Sequence, residues 1–292
     1  MSHSRTVPVA LVKKPHATPG DAEYVLGTGI EESVRLGLQH RLWSSSAHDL
    51  WERAGIQPGM TVLDVGCGPG HASMDMAQIV GPGGKIIAID ESVVFLKQLN
   101  EQAKARKLTN IDRVLGDVQN LDKAIPGNDG LIDMAYARWV FCFLARPEDV
   151  INGLARLLKQ FGVVAIQDYF SYESMTMAPR RDIFTKVVKA IAQSWRDQGG
   201  DPDIAARLPG MLRKNGFKVK HIAASERIAR PGSTMWHWPA SFWSTFLPRL
   251  EKLGYITSAE HEEFMAMWTA AGEDKDCFVM LPPVFDLIAI KT

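Results

Sequence analysis

Apolar residues recur along this chain in two rhythms, and the rhythms alternate. Leu36, Trp43, Ala47, Leu50 and Ala54 fall on one face of a helix over 31–54, which Gly55 and the Gln57-Pro58-Gly59 turn bring to an end. Val62, Leu63 and Val65 then make a short run rich in β-branched residues, the mark of a strand covered on both faces. A helix-compatible stretch over 71–79 leads to a second such strand at 85–90, and a helical pattern covers 92–105. Strands at 111–115 and 131–137, a helix over 148–158 and a strand at 162–167 continue the series. Strands alternating with helices predict βαβ units, hence an α/β fold with a doubly wound, mostly parallel sheet.

Beyond Phe170 the rhythm changes. Ile183, Phe184, Val187, Val188, Ile191 and Trp195 form a helical stripe, a further helix is predicted over 204–214, and a strand over 218–228. The next fifty or so residues fit no βα unit. They carry Trp236, His237, Trp238, Phe242, Trp243 and Phe246, with Phe264, Met267, Trp268 and Ala271 on a second helix that Thr257-Ser258-Ala259-Glu260 opens as a capping box. A strand at 284–290 closes the chain and is the seventh. The expected organisation is a single domain over 21–292 with a helical cap drawn from 21–54, 171–200 and 231–280. Residues 1–20, with Pro8, Pro15 and Pro19, read as a flexible arm.

Composition narrows the partners. Lys plus Arg and Asp plus Glu stand at 33 each, so no global field draws the chain to nucleic acid or an anionic membrane. No apolar run approaches the roughly 18 residues of a membrane span, and the first 20 residues lack the apolar centre of a signal peptide. Three cysteines, Cys67, Cys142 and Cys277, without a CxxC pair, argue against a disulfide framework or structural zinc. A reducing cytoplasm is the expected compartment, and no acid or histidine cluster has metal-ligand spacing.

The chemistry concentrates at Asp64-Val65-Gly66-Cys67-Gly68-Pro69-Gly70. A phosphate loop needs Gly-x4-Gly-Lys-Ser/Thr, and neither the lysine nor the hydroxyl is present in that register. A dinucleotide fingerprint would place its third glycine at position 71, which is His71. The pattern resembles motif I of the class I S-adenosylmethionine-dependent methyltransferases, whose cofactor has no phosphate. Asp90 ends the second strand, 26 residues past Asp64, where a carboxylate can accept from both ribose hydroxyls. The resemblance gives Asp90, with the adjoining Glu91, that role. It places Asp117 and Val118 near the adenine, and brings Arg138, at the end of the fourth-strand segment 132–138, towards the reacting methyl. The turn Leu157-Leu158-Lys159-Gln160-Phe161-Gly162 departs from the family's Leu-Lys-Pro-Gly-Gly, but away from the ligand. The resemblance covers roughly residues 24–170 and the terminal strand pair, and is closest to the small-molecule enzymes of ubiquinone/menaquinone-biosynthesis type.

It implies a seven-stranded Rossmann-like methyltransferase fold that binds S-adenosylmethionine through Tyr24, Gln39, Asp64, Gly66, Cys67, Gly68, Gly70, Asp90, Glu91, Asp117, Val118 and Arg138. Cys67 lines the turn as a passive thiol, since no activating base is identifiable near it. The expected reaction is methyl transfer to oxygen, carbon or nitrogen of a small hydrophobic or aromatic acceptor under the aromatic cap. Such an enzyme must align donor and acceptor and, for an acidic acceptor, remove a proton. His237, His40 and Tyr24 are the residues singled out for catalysis, with Asp168 and Tyr169 as alternatives for the base. A homodimer is compatible with this reading. The alternatives are an S-adenosylmethionine-binding enzyme with other chemistry, or a non-catalytic binding protein of the same fold.

Overall fold

The computed structural model describes residues 30–292, so Tyr24 and the proposed arm lie outside the described residues. Helix α1 (Ile30–Ala54) leads into β1 (Thr61–Val65), α2 (His71–Val80), β2 (Lys85–Asp90), α3 (Val93–Ala105), β3 (Ile111–Leu115), the short α4 (Leu121–Ala124), β4 (Ile132–Arg138), α5 (Pro147–Leu157) and β5 (Leu158–Tyr169). There follow β6 (Thr176–Ala178), α6 (Asp182–Asp197), α7 (Leu208–Lys214), β7 (Phe217–Ser225), β8 (Ile228–Ala229), α8 (His237–Lys252), α9 (Ser258–Glu273), β9 (Phe278–Met280) and β10 (Val284–Lys291).

Seven strands form one sheet in the order β3-β2-β1-β4-β5-β10-β7. The first five run parallel, and β10 lies antiparallel to both β5 and β7. The period-two geometry of each strand divides its residues between two apolar layers. Leu63, Val65, Ile87, Ile89, Ala135 and Ala137 join the core shared with α5 and the cap. Val62, Ile86, Ala88, Met134 and Tyr136 join the core under α2 and the second half of α1. Helix α1 crosses from one layer to the other, since Trp43 belongs to the first core while Leu50 and Trp51 belong to the second. Strand order reverses between β1 and β4, and a parallel sheet opens a ligand crevice at the carboxyl ends of the strands flanking such a reversal.

Two expected elements are divided. The strand anticipated over 218–228 ends at Ser225, and Ile228–Ala229 pairs elsewhere, in a three-stranded antiparallel sheet of order β6-β9-β8. The cap thus combines helices with a small sheet. The helix anticipated over 204–214 is a 3-10 turn, Ile204–Ala206, followed by α7 with Pro209 in its first turn, where a missing N–H costs no hydrogen bond. The capping box of α9 is present in full. Glu260 N donates to Thr257 Oγ1 at 3.3 Å, and Thr257 N donates to Glu260 Oε2 at 2.7 Å. No helix among the described residues is long and apolar enough to cross a membrane.

Candidate functional site

The turn from β1 into α2 holds Gly66, Gly68 and Gly70 at φ of 64°, 53° and 81°, the left-handed region that glycine enters without penalty. A Cβ at Gly66 would stand 2.7 Å from Val140 Cγ2, and one at Gly70 would collide with Leu99. Gly68 differs, for a Cβ there would meet nothing within 4 Å. Two of the glycines are therefore required by packing, and the third presents bare backbone to open space. Gly68 N donates to Asp90 Oδ2 at 2.8 Å, and Ser92 N donates to Asp90 Oδ1 at 2.8 Å. A carboxylate offers about four acceptor sites, so Asp90 has capacity left after tying the turn to the end of β2. Burial pushes its pKa above the usual carboxylate range, against the pull of those two backbone bonds.

One cavity of about 360 Å³ runs from this turn to the cap. Asp64, Gly66, Cys67, Gly68, Asp90, Glu91, Asp117 and Val118 line its first end, and Gln39, Trp139, Tyr169, Tyr172, Trp195, Trp238, Phe242 and Trp243 its second. Asp64 is 3% exposed and accepts from Ser73 Oγ, and burial raises its pKa to about 7. Asp117 closes its own loop. Its Oδ1 takes Gln119 N at 2.8 Å, and its Oδ2 takes Asn120 Nδ2 at 2.8 Å. Glu91 is exposed and Val118 is buried, and both line the cavity. The Cys67 thiol is buried, donates to Gly68 O, and burial holds its pKa well above the ordinary value, as befits a passive thiol.

Between the two ends stands a chain of polar groups. Arg138 Nη2 donates to His40 Nδ1 at 2.9 Å, and His40 Nε2 bonds Asp75 Oδ2 at 2.9 Å. Because a guanidinium only donates, Nδ1 must carry the lone pair and Nε2 the proton. Burial, foremost, keeps the His40 pKa low and the ring neutral. His71 stacks on His40 with centroids 5.5 Å apart, and burial lowers its pKa to about 4. A Cβ at Gly37 of α1 would come within 3.3 Å of His71 Nε2, so that glycine makes room for the ring. Arg138 Nη1 is buried without a partner among the described residues.

The structure sets the two histidines expected to act in catalysis in different surroundings. His237 is exposed and does not line the cavity, whereas its neighbours Trp236 and Trp238 are buried. On α8 it shares a face with exposed Ser244, two turns on, and points away from the acceptor end. His40 lines the cavity, but both ring nitrogens are committed, which denies it a free lone pair for proton abstraction. Asp168 is fully buried and accepts from Val140 N at 3.2 Å, Cys142 N at 3.3 Å and Tyr169 N at 2.9 Å. It holds the loop after β4 and does not reach the cavity, while burial pushes its pKa to about 6. Tyr169 does line the cavity, its phenol pKa raised by burial.

Three features escaped the sequence reading. Trp139 sits at φ +52°, stacked on Tyr169 at 6.1 Å and on Trp238 at 6.0 Å, and nothing in the sequence marks that conformation. His71, whose side chain excludes a dinucleotide turn, also lines the cavity. Glu32 and Arg35 form a buried ion pair, 2.6 Å between Oε1 and Nη2, which their three-residue spacing on a helix could have announced.

The sheet order, with one antiparallel strand near its edge, and a glycine turn facing the crevice define the Rossmann-like class I methyltransferase fold. A methyltransferase domain family model matches residues 56–227, and the chain belongs to that family. Among curated relatives, the demethylmenaquinone methyltransferase of Lactococcus lactis subsp. lactis is 28% identical over 60% of this chain and 74% of its own. An uncharacterized 37.1 kDa transposon protein of Streptomyces fradiae is 35% identical, but the match spans 36% of this chain and only 29% of that protein. A solved structure from Bacillus halodurans C-125 shares the fold at TM-score 0.59 with 18% identity, over 85% of this chain and 99% of that one.

Proposed function

We propose that the protein transfers the methyl group of S-adenosylmethionine to a small, apolar, ring-bearing acceptor. The observation that carries this reading is the single cavity joining the glycine turn to an aromatic chamber, so that donor and acceptor would share one desolvated space. The residues present fit the cofactor. Gly68 leaves its backbone open, Asp90 retains acceptor capacity for ribose hydroxyls, and Arg138 has an unsatisfied nitrogen at the junction of the two ends. Gly68, Asp90, Glu91 and Val118 would hold the nucleoside portion. Asp117 would shape the adenine edge through the loop it closes, leaving little acceptor capacity of its own.

When bound, S-adenosylmethionine supplies an electrophilic methyl on a sulfonium. The chain's own part is positional. Trp139 and Trp238 exclude water from the acceptor end, while His40 and Asp75 fix the Arg138 guanidinium. Tyr169 is the titratable phenol of β5 facing the chamber. The Lactococcus relative named for demethylmenaquinone supports an apolar ring acceptor.

Calorimetry with S-adenosylhomocysteine, followed by labelled methyl transfer to a panel of small aromatic amines, phenols and quinols, tests the reading. Micromolar cofactor binding with label appearing in an extractable small molecule is the expected result. Tight cofactor binding with no labelled acceptor would favour an S-adenosylmethionine-binding protein of other chemistry, and no binding would remove the cofactor assignment.

A further inference from the structure

Gln39 lies on the α1 face that meets α8, and its side-chain oxygen collects two donors. Arg35 Nη1 reaches Oε1 at 2.9 Å and Trp238 Nε1 reaches it at 2.8 Å. Guanidinium and indole groups donate only, so the atom they share must be the oxygen, and the amide cannot be flipped. The amide nitrogen with its two hydrogens is thereby turned to the other side, where it meets no partner among the described residues, on a residue that lines the cavity. The arrangement is held firmly. Glu32 grips Arg35 through Nε at 2.7 Å and Nη2 at 2.6 Å, and both side chains are buried.

We infer that Gln39 belongs to the acceptor rather than the cofactor, and that its amide N–H groups select a flat apolar ring bearing a neutral hydrogen-bond-accepting oxygen. This assignment rests on the methyltransferase reading above. Three features set the substrate class. The stacked faces of Trp139, Trp238 and Tyr169 favour a flat molecule. A donor pair left unpaired among aromatic walls is costly, so the occupant supplies an acceptor. Glu32 pairs with Arg35, so the charge beside the Gln39 amide is balanced, which at that position suits a carbonyl or hydroxyl oxygen better than a carboxylate or phosphate.

The decisive variant is Gln39→Glu. It keeps the shape and both bonds at the shared oxygen, replaces the free NH2 by an acceptor, and when ionised adds a negative charge beside Arg35, a change that Gln39→Met avoids. Binding of 1-tetralone and of its carbonyl-free analogue tetralin is read by tryptophan fluorescence, with S-adenosylhomocysteine saturating. Wild type is expected to prefer 1-tetralone by about tenfold, the scale of one hydrogen bond in a desolvated site. Gln39→Glu is expected to abolish that preference while S-adenosylhomocysteine still binds. Gln39→Met, of similar length without donors, gives the same loss should the glutamate fail to fold. The inference is overturned if wild type binds neither compound or both equally, or if the variants keep the preference and lose S-adenosylhomocysteine affinity instead. Failure of wild type to bind S-adenosylhomocysteine would refute the methyltransferase reading itself, a separate outcome.

Discussion

The two ends of the cavity are built by opposite means. The turn end is made of backbone and short carboxylates from consecutive βα junctions. Gly68 and Asp90 meet because β1 and β2 are neighbours in the sheet, in parallel register from Thr61↔Lys85 to Val65↔Ile89. The cap end is made of large side chains from α1, the loop after β4, the end of β5, α6 and α8. Its contacts are side chain on side chain, such as Trp139 on Trp238 and Trp43 across both. An end fixed by the main chain tolerates few substitutions and serves an invariant ligand. An end fixed by stacked side chains can be re-cut for different acceptors.

The sharpest way to break this contrast is to set two glycines of the one turn against each other. Gly70→Ala carries both the left-handed penalty, about 1–2 kcal/mol, and the displacement of buried Leu99, about 1–3 kcal/mol. It should lower unfolding free energy in urea by about 2–5 kcal/mol. Gly68→Ala carries the first cost alone, so its stability should fall by about 1–2 kcal/mol while its methyl group obstructs the ligand's approach. Equal destabilisation of the two would show that Gly68 is a packing glycine like the others. Asp90→Ala comes next, with an expected loss of about 1.5–3 kcal/mol in S-adenosylhomocysteine affinity by calorimetry, the scale of hydrogen bonds to a charged group. Unchanged affinity would take Asp90 out of the site and leave it as a brace for the turn.

Trp238→Phe probes the other end. It keeps a ring near Trp139 and removes the indole N–H that Gln39 accepts, worth about 1 kcal/mol. The effect should fall on the Michaelis constant of the methyl acceptor, with cofactor affinity intact. A loss in cofactor affinity instead would mean that the two ends are energetically one.

The contrast also explains what could be read beforehand. Val62, Leu63 and Val65 announce a buried strand, and Gly66, Gly68 and Gly70 announce a turn, because both signals are contained in ten consecutive residues. The fold, the glycine turn and the capping box at Thr257 were legible for that reason. The exposure of His237 is not legible in the sequence, because lying between two buried tryptophans says nothing of which way a helical side chain points. The Arg138–His40–Asp75 chain joins residues 98 and 35 positions apart, and no local pattern contains such a distance. Ile228 was drawn into the preceding strand because composition cannot show a change of sheet.

The smallest expected effect lies where the two ends meet, and it concerns pH. His40 is neutral because burial depresses its pKa below the ordinary 6.5, and its Nδ1 accepts from Arg138. A depressed histidine pKa places the loss on the acid side, with the arrangement intact above pH 6.5 and eroding as pH falls through the lowered value. Protonation would set an N–H and a positive charge against Arg138 Nη2 at 2.9 Å, and the guanidinium would turn away. The other groups facing the ring divide. Asp75 favours the proton, while Arg138 and His48 oppose it, and neutral His71 stacks on the face. Asn at position 40 can offer an oxygen where Nδ1 now stands and does not titrate. Cofactor affinity followed from about pH 7.5 into the acid range should fall further in wild type than in His40→Asn, the two curves parting as pH drops through the lowered His40 value. Protonation of Asp64 and Asp90 acts on both proteins and cancels in the ratio. Identical pH dependence in the two would mean that Arg138 keeps its place without His40, and that the junction between the ends is held by packing alone.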